Sequence, residues 1–263
     1  MSASAGRIFC AVDTTDIEAA RVLSRSLAGV VGGIKLGLEF FVAHGPAGVS
    51  AVMGDDGAPL FLDLKLHDIP NTVAGALRAA LPLRPAFMTV HTAGGPAMMR
   101  AAVEAAASAG AARPRLLGVT VLTSLDDGDL EAVGQRTPVA EQVLRLARVA
   151  AECGLDGVVC APHEVASLRA VCPRGFVLMV PGIRPGWAGA NDQKRVMTPA
   201  LALAAGADHL VIGRPITGDA DPVSAARRIN AEIDAGTAKN NDAGTAKNND
   251  AGAAKTGGPA RGS

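Results

Sequence analysis

Phe61-Leu62-Asp63-Leu64-Lys65-Leu66-His67-Asp68-Ile69-Pro70-Asn71-Thr72 is the stretch on which the fold and the site turn. It begins as a strand, whose side chains alternate between two faces. Asp63 and Lys65 then point one way, and Leu62, Leu64 and Leu66 the other. Ile69-Pro70 ends the strand, because proline has no N–H for a ladder and drives its predecessor from helical angles. Asp68 is expected just past the strand end, near the Asp63/Lys65 face. An ammonium between two carboxylates at the mouth of a buried strand has two readings. It is either a paired ion cluster plugging a core or an active site. The number of charges and their place at a strand end favour the active site.

The same pattern recurs along the chain. Ile8–Val12, Gly33–Gly37, Leu60–Lys65, Phe87–His91, Leu116–Leu122, Gly157–Cys160, Phe176–Val180 and His209–Ile212 read as short buried strands. Helical patterns follow them, including Asp16–Leu27, Leu38–His44, Thr72–Ala80, Gly95–Ala107 and Thr137–Cys153. Thr137-Pro138, Thr198-Pro199 and Asp221-Pro222 each read as an N-cap followed by the first helical residue. Eight strands alternating with helices predict an α/β protein, a single (β/α)8 TIM barrel over residues 1–233. No G-x-G-x-x-G turn follows the first strand, which counts against a dinucleotide-binding sheet.

From Asp234 an eight-residue unit, Asp-Ala-Gly-Thr-Ala-Lys-Asn-Asn, occurs twice and then degenerates. Its small polar residues cannot bury enough apolar surface to offset ordering entropy, so 234–263 is expected to be a disordered tail.

Lys+Arg and Asp+Glu are both 25, and no basic run stands out, so neither nucleic acid nor an anionic membrane is the expected partner. No apolar run is long enough to cross a bilayer, and the first residues lack the basic flank and apolar run of a secretory signal. Cys10, Cys153, Cys160 and Cys172 form no C-x-x-C pair and read as reduced thiols in a cytoplasmic protein. The five histidines are scattered and suggest no metal set.

In a barrel of this kind the site lies at the C-terminal ends of the strands. Those ends collect Asp13, Lys35, Asp63, Lys65, Asp68, His91, Thr123, Ser124, Arg184, Gly213 and Arg214. Pro181-Gly-Ile-Arg184 and Gly213-Arg214-Pro215 follow the last two strands, where many barrels hold a phosphate. Glycine lets backbone N–H groups approach an oxyanion, and arginine adds a forked donor.

Asp63-Leu-Lys-Leu-His-Asp-Ile-Pro-Asn-Thr72 resembles the signature of the orotidine 5′-monophosphate decarboxylases. Ala11-Val-Asp13, Ile34-Lys-Leu-Gly37, Val119-Thr-Val-Leu-Thr-Ser124, Pro181-Gly-Ile-Arg-Pro185, Asp192-Gln193 and Ile212-Gly-Arg214 join it in the family's order, covering roughly Ile8 to Glu232. The resemblance implies a homodimeric barrel that turns orotidylate into UMP and carbon dioxide without cofactor or metal. It implies that Lys65 is the proton donor, with Asp63, Asp68 and Lys35 as its charged neighbours. Asp68 and Thr72 would reach the partner's site. Asp13 and Lys35 would bind the ribose, Thr123 and Ser124 would face the pyrimidine, Gln193 would bridge base and phosphate, and Arg184, Gly213 and Arg214 would hold the phosphate.

The chemistry agrees. Loss of carbon dioxide leaves a ring carbanion without an ordinary electron sink, and a fixed ammonium can both stabilise and protonate it. A Schiff-base aldolase needs a neutral amine, which flanking carboxylates disfavour. Two other readings compete: a magnesium-dependent sugar-phosphate decarboxylase or aldolase of the same barrel group, and a non-catalytic nucleotide-binding barrel. Ile69-Pro-Asn-Thr72 and Gln193 argue against the first. The intact Asp63, Lys65 and Asp68 argue against the second.

Overall fold

The alternation seen in the sequence separates two apolar layers. Ile8, Cys10 and Val12 on the first strand face outward into a core shared with the helices. Phe9 and Ala11, of opposite parity, face inward and join Phe61, Phe87, Leu117, Val177, Met179 and Val211. Strands buried on both faces in this way belong to a parallel sheet covered by helices. The computed structural model describes residues 4–54, 57–188 and 197–253, with side chains through residue 238.

The strands are β1 (Ile8–Val12), β2 (Gly33–Gly37), β3 (Leu60–Leu66), β4 (Phe87–His91), β5 (Arg115–Val119), β6 (Gly157–Val159), β7 (Val177–Val180) and β8 (His209–Ile212). Each pairs in parallel with the next. β8 then closes on β1 through Ile8–Leu210, Phe9–Val211 and Cys10–Ile212, giving a closed (β/α)8 barrel. The helices are α1 (Ile17–Leu27), α2 (Leu38–Met53), α3 (Pro70–Ala80), α4 (Gly95–Ala107), α5 (Asp127–Ala132), α6 (Val139–Glu152), α7 (Val165–Val171), α8 (Pro199–Ala204), α9 (Arg214–Thr217) and α10 (Pro222–Ala253).

The barrel interior has a floor of packed rings. The rings of Phe9 and Phe87 meet edge to face at 5.3 Å, and His209 closes on both. Each buried phenyl ring contributes roughly 1.5–3 kcal/mol. Gly33 makes room for this floor, since a Cβ there would fall 2.3 Å from the Phe9 ring. Above the floor the inward positions turn polar, which confines the chemistry to one end.

Several boundaries differ from the sequence reading. β5 stops at Val119 rather than Leu122, so Thr120–Leu122 leave the sheet for the rim. α2 continues past His44 to Met53, because Gly45 takes a left-handed φ of 59° and Pro46 starts a second segment beyond the kink. At Thr198-Pro199 the threonine caps α8 by accepting from the Leu201 N–H, and Asp221 does the same for Ser224 at the start of α10. Thr137-Pro138 departs from that reading. Its peptide bond is cis, Pro138 occupies the cap position, and α6 begins at Val139.

α10 does not stop at the boundary read at residue 233. Thr237 donates its hydroxyl to the Ile233 carbonyl at 3.0 Å, and a Cβ at Gly236 would meet Ala200 of α8 at 2.5 Å. The first residues of the repeat therefore pack instead of lying free, and the helix runs on to Ala253. Once the amphipathic part of a helix is nucleated, each further residue adds a hydrogen bond at little entropic cost. Residues 254–263 of the expected tail lie outside the described residues.

Candidate active site

Four charged side chains alternate in sign across the mouth of the barrel. The Lys35 ammonium lies 3.2 Å from Asp13 and 3.8 Å from Asp63, and Lys65 lies 2.6 Å from the same Asp63 oxygen. Lys35 and Asp63 retain only 11% and 10% side-chain exposure, so each needs the opposite charge beside it. The register pairing Gly37 of β2 with Asp63 of β3 sets this spacing. Gly37 also leaves space for the ammonium, which a Cβ would approach to 3.1 Å.

The strand alternation carries Asp63 inward and then breaks at Lys65. That residue has a φ of 50°, and the β3–β4 register shifts between Leu62 and Leu66. A left-handed lysine costs about 1–3 kcal/mol unless its surroundings fix it. Thr89 on β4 does so. Its hydroxyl oxygen accepts from the Lys65 N–H at 2.9 Å and donates to Asp63 at 2.8 Å. Thr89 is fully buried and was missed in the sequence, because a β-branched residue inside a strand is unremarkable. The available signal was its parity: Phe87, Thr89 and His91 all point into the barrel, where a polar group demands a partner. Thr89→Val is expected to cost about 1–3 kcal/mol of stability, since it strips a partner from two buried polar groups. It should also lower kcat more than it raises KM, which urea unfolding and steady-state kinetics would check.

Asp13, Lys35, Asp63, Lys65, Thr123, Arg184, Gly213 and Arg214 line one cavity of about 370 Å³. Val121, Ile183 and Val211 supply apolar wall. Gly182 holds a φ of 75° in the turn after β7, which explains glycine there. Behind the wall Glu164 is buried and accepts from the Ala161 N–H at 2.7 Å. Burial pushes its carboxyl up to about 7 against the opposing effect of that bond. His91 stacks on His67 at 5.2 Å, and burial first, then His67 and Lys65, holds its imidazole below the usual range.

Three expected site residues fall elsewhere within this chain. Ser124 and Thr72 are exposed and do not line the cavity. Asp68, expected beside Lys65, is exposed as well, and its carboxylate accepts from the adjacent Ile69 N–H at 2.6 Å. The cause is local. The break at Lys65 ends the alternation, and the turn into α3 carries Asp68 outward. Gln193 lies outside the described residues. The four cysteines are free, three of them buried, and burial pushes the Cys10 thiol up to about 12. Among the described residues no three His, Cys, Asp or Glu side chains gather as a metal-binding group, and no helix is long and apolar enough to cross a membrane.

Residues 6–229 match the family model described as "Orotidine 5'-phosphate decarboxylase / HUMPS family". The chain belongs to this family. Its relatives include the orotidine 5′-phosphate decarboxylase of Paramagnetospirillum magneticum, 55% identical over 86% of this chain and 97% of that protein. The decarboxylase of Rhodospirillum rubrum is also 55% identical, over 86% of this chain and 93% of its own length. Among solved structures, orotidine 5′-phosphate decarboxylase from Lactobacillus acidophilus superposes with a TM-score of 0.76 at 36% identity, covering 86% of this chain and 98% of that one. The orotidine 5′-phosphate decarboxylase / HUMPS match includes every charged residue of the cavity and ends before the repeats.

Proposed function

We infer that the protein decarboxylates orotidine 5′-monophosphate to UMP in de novo pyrimidine biosynthesis. The observation that carries this reading is the Asp13–Lys35–Asp63–Lys65 array at the mouth of a barrel of this family. In the reaction the bond from C6 to the carboxyl carbon breaks, and its electron pair stays on C6. The Lys65 ammonium lies beside that carbon, stabilises the pair and donates a proton to it. Carbon dioxide leaves, and solvent returns a proton to Lys65. Asp63 holds the ammonium in place while Thr89 holds Asp63. A donor fixed before the charge develops spends nothing on reorganisation during the step. The chemistry as written draws on no metal or cofactor.

Asp13 and Lys35 bind the ribose hydroxyls, Thr123 faces the pyrimidine, and Gln193 bridges base and phosphate. Arg184, Gly213 and Arg214 hold the phosphate. The enzyme works in the cytoplasm as a homodimer in which Asp68 and Thr72 enter the partner's site. Support for the dimer comes from the outward Asp68 and from its neighbour Ile69, an apolar side chain left 67% exposed.

An ultraviolet assay of the purified protein with orotidylate tests the reading, and absence of turnover would refute it. Arg214→Ala is expected to raise KM roughly 10–100-fold while leaving the fold intact, because a charge-assisted contact to the phosphate is lost. Unchanged kinetics in that variant would remove Arg214 from the site.

A further inference from the structure

The surface of α10 carries contacts that neither the charge array nor the phosphate turns explain. The Arg228 guanidinium lies 3.7 Å from the centre of the Trp187 ring. The same group reaches Asp219 at 3.6 Å. One helical turn on, Glu232 accepts from the Gly186 N–H at 3.3 Å. Trp187 and Gly186 lie just past Arg184, and Asp219 lies just past Arg214 and α9. Both arms that carry the cavity arginines thus converge on one face of α10. The Arg184 arm is clasped at its base as well, where the Arg184 N–H donates to the Met197 carbonyl at 3.2 Å.

A guanidinium suits this place because it can lay its face on an indole and turn an N–H edge to a carboxylate. We propose that Arg228 is a positioning residue for phosphate binding, bridging Trp187 and Asp219 so that the Arg184 and Arg214 turns keep their spacing. Glu232 is the second tie on the same arm. The proposal rests on the reading of the cavity as a nucleoside monophosphate site. It adds a contribution to phosphate binding that originates outside the cavity, in residues that do not line it.

The test compares the wild type with Arg228→Ala, Trp187→Ala, the double variant and Trp187→Phe. UMP binding is measured by calorimetry and orotidylate turnover by absorbance. Each alanine variant should weaken UMP binding ~5–10-fold, as expected for one cation–π contact, with kcat nearly unchanged. The double variant should be no weaker than Arg228→Ala alone, because that change already removes the contact that Trp187 makes. Trp187→Phe keeps a ring face and should stay close to the wild type. Undiminished UMP affinity in the alanine variants, or losses that simply add, would overturn the proposal. If Arg228→Ala fails to fold, Trp187→Ala against Trp187→Phe decides it. Wild-type turnover with unaffected variants refutes the positioning role alone. UMP binding without turnover refutes the decarboxylase reading alone, and a wild type that binds no UMP refutes both.

Discussion

Lys65→Ala is expected to abolish orotidylate turnover, lowering kcat/KM by at least about 10⁴-fold, while the barrel persists. The ammonium serves as both the charge facing the carbanion and the source of its proton, and each role alone is worth roughly 10²–10⁴. Folding should suffer far less. Asp63 keeps its bond from Thr89 at 2.8 Å and Lys35 at 3.8 Å, so its carboxylate is not stranded. The cost should stay below the roughly 3–5 kcal/mol typical of a broken buried pair. Circular dichroism and urea unfolding beside the kinetics separate the two effects. Turnover persisting in a folded Lys65→Ala protein would end the mechanism given above.

The second large effect concerns Asp68. Within one chain it sits exposed, with its carboxylate turned to its own Ile69 N–H. If it completes the partner's site, Asp68→Ala should be nearly inactive although the variant retains a full Asp13–Lys35–Asp63–Lys65 array. Mixing it with the inactive Lys65→Ala protein should then restore activity. In a mixed dimer one site combines an intact Lys65 with an Asp68 donated across the interface, while the other site loses both. With random exchange in a two-fold dimer, roughly a quarter of wild-type activity should return. If subunit exchange is verified and no activity returns, the shared-site arrangement is wrong. If Asp68→Ala alone is fully active, the residue has no part in the reaction.

The sequence carried the barrel and most of the charge array, for a physical reason. Parity in a strand is a geometric rule, so Asp63 and Lys65 could be assigned to one side, and Asp13, Lys35, Arg184 and Arg214 to strand ends. What it could not carry depends on local departures from that rule or on distant partners. The left-handed backbone at Lys65 redirects the chain beyond it, and Asp68 goes outward as a result. Thr89 looks like any strand threonine until the carboxylate and N–H that it joins are both in place. The second half of α2 hid behind Gly45-Pro46, a pair that ordinarily ends a helix and here only bends it. The early repeat residues looked too polar to order, but Gly236 finds Ala200 because the preceding helix delivers it there.

The chain contains one tryptophan and no tyrosine. All of its native indole emission therefore comes from the ring under Arg228, at the edge of the turn that holds Arg184. The protein carries its own optical probe at that point on the rim, and a fluorescence titration with UMP reads this segment with no other indole or phenol to obscure it.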